Sequence, residues 1–145
     1  MPTDENQRDV INARKGREPW RPLAPVTLPS YASALWADQG NRGRYMVGNA
    51  LVSDHGRRVM PATVHIDGST RPQVLHPGSA PVLDNLLAAL RESGMPPVLV
   101  NTSLNSRGQP IADSVDDVMA AFKAVHLDFA VINDLIVECD SDSPT

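Results

Sequence analysis

The sequence predicts a single-domain α/β or α+β fold of 145 residues, with helices packed on a twisted sheet. Three observations carry that expectation. Two segments repeat apolar residues at helical spacing, several short apolar runs are bounded by turn formers, and the two kinds of segment are interspersed. Nine glycines and thirteen prolines supply many turns, while an apolar content of 41% suffices for a core.

Residues 1–8 read as a flexible, polar start, and residues 139–145, ending in SDSPT, as a disordered tail, which leaves 9–138 as the folded domain. A basic stretch over 9–22 leads into LAPVTL (23–28), a short strand ended by Pro29. Ser30 is placed to cap a short helix reaching Trp36, followed by a Gly- and charge-rich loop over 37–44. Residues 45–52 alternate loosely and predict a strand, with a turn over 53–58. Residues 62–67 and 71–75 predict two strands joined tightly through Gly68, Ser69 and Thr70. The helix over 80–93 rests on a stripe of Val82, Leu86, Leu87 and Leu90, with Gly94 as its stop. PVLV (97–100) predicts a buried strand that empties into the polar loop NTSLNSRGQP (101–110). A second helix starts from the cap Ser114, carries Asp116 and Asp117 in its first turn, and turns Val118, Met119, Phe122 and Val125 inward. FAVI (129–132) and LIVE (135–138) predict the closing strands.

Composition narrows the function classes. No apolar run reaches the roughly 18 residues a membrane span needs, and the polar first ten residues do not resemble a secretory signal. The single cysteine, Cys139, allows no internal disulfide and suits a reducing cytoplasm. The four histidines do not fall at metal-ligand spacing, so no protein-held metal is expected. Net charge is −4, yet Arg8, Arg14, Lys15, Arg17 and Arg21 cluster near the start, opposed only by Asp9 and Glu18. A basic cluster on an acidic chain points to a discrete anion site rather than a nucleic-acid stripe, although a solvated basic face is the plainer reading of the cluster alone. Eleven of the thirteen basic residues are arginine, so a lysine at position 15 hints that a compact ammonium is needed there.

Three segments carry the chemistry. In NTSLNSRGQP, Asn101, Thr102, Ser103, Asn105 and Arg107 put amides, hydroxyls and a guanidinium at a strand end, where ligand crevices of α/β sheets form. Taken alone it also reads as an ordinary polar turn. NARKGREPWRPLAP (12–25) sets Lys15, Arg17 and Arg21 within seven residues. PATVHIDGSTRPQ (61–73) gathers His65, Asp67 and Arg71 around a turn, where a structural histidine and a turn-forming aspartate are the plainer readings.

In order and spacing these blocks resemble the carboxy-terminal domain of the O-carbamoyltransferases, whose pattern runs N-x-x-K-x-R-E-x-W-R-P-L-A-P, then P-A-x-T/V-H-x-D-G-S/T-x-R-x-Q, then N-T-S-x-N-x-R-G-x-P-I. LDFAVINDLIVE (127–138) resembles the family's L-D-x-L-V-x-x-D-x-L-V ending. Lys15-Gly16-Arg17 and Ser103-Leu104-Asn105 are also similar to the K-x-R and S-x-N signature of YrdC proteins, and SLNSRGQP to their S-A-N-x-S-G-x-P loop. The resemblance implies a YrdC-like α/β fold, a twisted mixed sheet flanked by helices. It further implies ATP with Mg²⁺, and carbamoyl phosphate, as ligands converted to carbamoyl-adenylate. On that resemblance Lys15, Arg17, Arg21, Ser103 and Asn105 are catalytic, while His65, Arg71, Asn101, Thr102 and Arg107 bind substrate or nucleotide. A triphosphate and a second anion in one cleft require such cations to offset their repulsion.

The family's full-length members carry an upstream actin-like domain with metal-binding histidines and aspartates. They also carry a G-x-R-S-I-L-A-D-P segment, of which only Arg8-Asp9-Val10-Ile11-Asn12 has a counterpart here. The expectation is a stand-alone cytoplasmic subunit that works with a separate actin-like, metal-binding carbamoyltransferase partner, without nucleic acid or membrane. Two alternatives stay open: a catalytically silent binding or assembly partner, and an enzyme of the threonylcarbamoyl-adenylate synthase type.

Overall fold

The computed structural model describes residues 1–38 and 41–138. Helix α1 (Asn6–Arg14) is followed by β1 (Ala24–Thr27), α2 (Pro29–Leu35), α3 (Asn41–Arg44), β2 (Ala50–Leu51) and α4 (Asp54–Val59). A 3₁₀ turn (Pro61–Thr63), β3 (Ser69–Thr70), β4 (Gln73–Val74), α5 (Pro81–Glu92), β5 (Val98–Asn101), α6 (Val115–Ala124), β6 (Phe129–Ile132) and β7 (Leu135–Glu138) complete the described chain. The class is α/β. The chain divides into two compact units, one of residues 1–10 and 19–102, the other of 11–18 and 103–145.

The first unit is organised by a mixed sheet of order β4-β1-β5, with β1 parallel to β4 and antiparallel to β5. All four residues of β1 are buried, which matches the apolar run around them. Pro25 sits in this central strand although it has no N–H to give. The parallel ladder involves only Val26 and Thr27, so the proline falls outside it. On one side of the unit Val26, Leu75, Leu87 and Leu90 form a core cluster with Leu28, Leu83 and Leu99 packed against it. A second cluster joins Leu35, Trp36, Val52, Met60 and Val98. There α2 meets α4 closely: a Cβ on Gly56 would lie 2.3 Å from the Leu35 carbonyl oxygen, so this contact requires glycine.

The helix predicted over 80–93 is α5, but its inward stripe is Leu83, Leu87 and Leu90, while Val82 and Leu86 face solvent. Leu87→Ala is therefore expected to cost about 2–5 kcal/mol and Leu86→Ala less than about 0.5 kcal/mol. Urea melts with circular dichroism detection would read the difference, and equal losses would contradict this packing.

Several local expectations differ. The strand expected over 45–52 is reduced to β2, because Met46 takes a left-handed backbone (φ 57°) that no strand accommodates. Residues 62–67 and 71–75 do not pair across a tight turn: β3 pairs with β2, and β4 joins β1. The turn over 53–58 is α4, with Gly56 N–H donating to the cap Ser53 Oγ at 2.9 Å. Pro29 at the first turn, rather than Ser30 as a cap, opens α2. Strand β5 is buried at Val98 and half-buried beyond it. At the start of the chain α1 begins at Asn6, Pro2 is buried, and the Pro2 carbonyl accepts from Ala62 N–H at 3.2 Å.

In the second unit Ser114 and Asp117 form a reciprocal capping box at the start of α6, Ala121 and Phe122 are its buried residues, and Val125, which caps its end, is buried as well. Strands β6 and β7 pair as a hairpin. The tail and Cys139 lie outside the described residues.

Candidate functional site

In the second unit the K-x-R segment is shaped by the end of a helix. Arg17 N–H donates to the Asn12 carbonyl at 2.8 Å and Gly16 N–H to the Ala13 carbonyl at 3.1 Å. Those two bonds, with Gly16 at φ 61°, make a Schellman stop in which Arg14 is the last helical residue and Lys15 the C-cap. A glycine suits this left-handed position, and Lys15 and Arg17 flank a helix carboxyl end that favours positive charge.

The Lys15 ammonium donates to the Ser103 carbonyl, to the Asn105 carbonyl at 3.1 Å and to Asn105 Oδ1 at 3.4 Å. Ser103 Oγ donates to the same Asn105 Oδ1 at 2.7 Å, and Asn105 Nδ2 donates to the Gln109 carbonyl at 2.8 Å. Arg107 reaches back to the Gly16 carbonyl at 3.2 Å and lies 3.8 Å from the Glu18 carboxylate. That ion pair is exposed and contributes little by itself. Lys15, Ser103, Asn105 and Arg107 thus form one network, and Arg17 stands half-buried at its helix-end side. A compact point charge with three donors suits a ring of carbonyl oxygens better than a planar guanidinium.

The first unit holds the remaining expected site residues. Asn101, at the end of β5, donates through Nδ2 to Gln73 Oε1 across β1. Thr102, Arg21 and Arg71 are exposed. His65 Nδ1 lies 3.1 Å from Ser69 Oγ, and the Ser69 N–H donates to Asp67 Oδ1 at 2.9 Å. Partial burial pushes the His65 pKa below its usual value; Asp67 opposes that shift and Arg71 adds to it. The net shift favours the neutral imidazole form of His65. The hydrogen bonds from Ser69 hold the Asp67 carboxyl below the ordinary carboxylate range.

Among the described residues, no group of three or more His, Cys, Asp or Glu side chains gathers as a metal centre, and no helix is long and apolar enough to cross a membrane.

The profile of the family described as "Carbamoyltransferase C-terminus" matches residues 1–139. The chain belongs to this carbamoyltransferase family. Its curated relatives include the Nodulation protein NolNO of Sinorhizobium fredii, 30% identical over 99% of this chain and 22% of the relative. Nodulation protein U of Azorhizobium caulinodans is 36% identical over 74% of this chain and 19% of its own length. Nodulation protein NolO of Bradyrhizobium diazoefficiens is 31% identical over 94% of this chain and 25% of the relative. The chain spans about a quarter or less of each of these relatives.

Some participants were not singled out from the sequence. Gln109 supplies its backbone carbonyl to Asn105, a contact that residue type does not announce. In the sequence Glu18 reads only as a charge opposing the basic cluster, whereas it stands beside Arg107.

Proposed function

We propose that this carbamoyltransferase-family chain binds ATP and carbamoyl phosphate and forms carbamoyl-adenylate, which an actin-like, metal-binding partner passes to an acceptor hydroxyl. The observation that carries this reading is the network in which Lys15 ties the helix end at Gly16 to Ser103 and Asn105, with Arg107 folded over the same glycine. It sets an ammonium and a guanidinium beside hydroxyl and amide groups, the donor set that a polyphosphate requires.

In the proposed reaction, water releases orthophosphate from carbamoyl phosphate and leaves carbamate. A carbamate oxygen attacks the α-phosphorus of ATP, the new C–O–P anhydride forms, and pyrophosphate departs with the electron pair of the broken P–O bond. Lys15 and Arg107 offset the negative charge gathered on the phosphates. Lys15 Nζ turns from its long contact with Asn105 Oδ1 toward a phosphate oxygen. Ser103 Oγ and the Asn105 amide orient the carbamoyl group or a phosphate. Magnesium bound with the nucleotide would supply further neutralisation of phosphate charge beside that of Lys15 and Arg107.

Calorimetry with ATP and Mg²⁺ tests the binding step. ATP is expected to bind, and binding is expected to weaken as salt rises, because several charge contacts contribute. Absence of heat or competition at millimolar nucleotide would favour a silent assembly role instead.

A further inference from the structure

The side chain next to Lys15 stands outside the network described above and reaches the carboxyl end of α6. Arg14, the last residue of α1, donates through Nη1 to the His126 carbonyl at 3.0 Å. Both of its terminal nitrogens lie 3.4 Å from the Asp128 carboxylate. We propose that Arg14 and Asp128 are positioning residues that keep Lys15 in place when its ammonium turns to phosphate, an inference that rests on the ATP-binding reading.

The carbonyl that Arg14 meets belongs to a helix stop of the same kind as the one at Gly16. Leu127 N–H donates to the Phe122 carbonyl at 3.1 Å and His126 N–H to the Lys123 carbonyl at 3.3 Å, with His126 left-handed at φ 50°. A helix carboxyl end carries partial negative charge, which a guanidinium complements. At its other end α6 is tied to the loop that Lys15 contacts. Ala112 N–H closes that loop on the Leu104 carbonyl at 2.9 Å, and the capping box at Ser114 follows directly. The end of α1 is therefore held on the loop through Lys15 and Arg107, and on the far end of α6 through Arg14.

A nucleotide affects these ties differently. Lys15 and Arg107 are the cations assigned to phosphate, so binding loosens the bonds that fix them to the loop and the helix end. Arg14 is engaged by a carbonyl and a carboxylate instead. Asp128, 80% exposed, holds the guanidinium by opposite charge and repels phosphate, which keeps Arg14 on its anchor. An exposed pair of this kind adds little to folding stability, which leaves placement of the helix end as its contribution.

The test measures ATP binding with Mg²⁺ by calorimetry for Arg14→Ala and Asp128→Asn, each in the wild-type chain and in Lys15→Ala, beside thermal melts. Each substitution is expected to weaken ATP at least about threefold in the wild-type chain and less than about twofold in Lys15→Ala, because each acts through the lysine. The sign at Asp128 separates placement from charge: loss of a negative charge alone tightens an anion, whereas loss of the anchor weakens it. A role confined to folding would lower the melting temperature and weaken ATP by the same factor with Lys15 present or absent. Unchanged or tighter ATP binding by Asp128→Asn would overturn the proposal, as would equal factors in the two backgrounds. Should Arg14→Ala not fold, Asp128→Asn, an isosteric change at an exposed side chain, carries the same comparison. If wild type binds no ATP, or Lys15→Ala binds it as well as wild type does, the nucleotide reading itself falls and takes this inference with it.

Discussion

Lys15→Ala is expected to weaken ATP binding by about 10- to 150-fold, the range set by roughly 1.5–3 kcal/mol for a charge-assisted hydrogen bond. Arg107→Ala is expected to fall in the same range for the same reason. The two differ in stability. The Lys15 ammonium also serves the carbonyls of Ser103 and Asn105, so its removal is expected to cost folding stability by about 0.5–1.5 kcal/mol. The Arg107 side chain is 72% exposed, so its loss is expected to change the melting temperature little. Arg58, on the exposed side of α4, supplies the control, since Arg58→Ala is expected to change neither property. Lys15→Arg should not restore affinity, because a planar guanidinium cannot satisfy the same carbonyl ring. Titration calorimetry beside thermal melts reads all four variants. Equal losses of binding at 15, 107 and 58 would contradict a specific anion site.

The second large effect concerns transfer. Carbamoyl-adenylate is a reactive mixed anhydride, and enzymes that handle such species keep them from water. The described residues gather no His, Asp or Glu metal cluster to position an acceptor hydroxyl. The chain given ATP and carbamoyl phosphate is therefore expected to carbamoylate no added alcohol. Adding the separately produced remainder of a nodulation-protein relative, about three-quarters or more of its length by the coverage above, is expected to restore transfer. Mass spectrometry of the acceptor is the readout. Efficient carbamoylation by the chain alone would show that the acceptor site has been assigned to the wrong protein.

Where burial imposes a period, the fold was legible. Leu87 and Leu90 announce α5, and Phe122 and Val125 announce α6, because each pair points into a core that only a helical spacing can fill. Which edge of the α5 stripe is covered was not legible, since Val82, Leu83 and Leu86 are equally apolar and only Leu83 packs against the cluster of Val26, Leu75, Leu87 and Leu90. Helix α1 was missed because NQRDVINAR has no apolar stripe; its signature is instead the glycine stop at position 16. The break at Met46 has no residue-type signal, since non-glycine residues rarely take a positive φ.

For the site, the residue types in K-G-R and in NTSLNSRGQP were readable, but their meeting was not. Lys15 and Asn105 are 90 residues apart, and only the folded chain brings the ammonium onto the backbone of that loop.

The central claim is that the chain joins a carbamoyl group to AMP, and the most direct measurement follows both phosphate products with ATP, Mg²⁺ and carbamoyl phosphate present. The account predicts pyrophosphate that depends on both ATP and carbamoyl phosphate, accompanied by at least as much orthophosphate, with the pyrophosphate strongly reduced in Lys15→Ala. Nucleotide binding without any carbamoyl-phosphate-dependent pyrophosphate, with the partner protein present or absent, would contradict it.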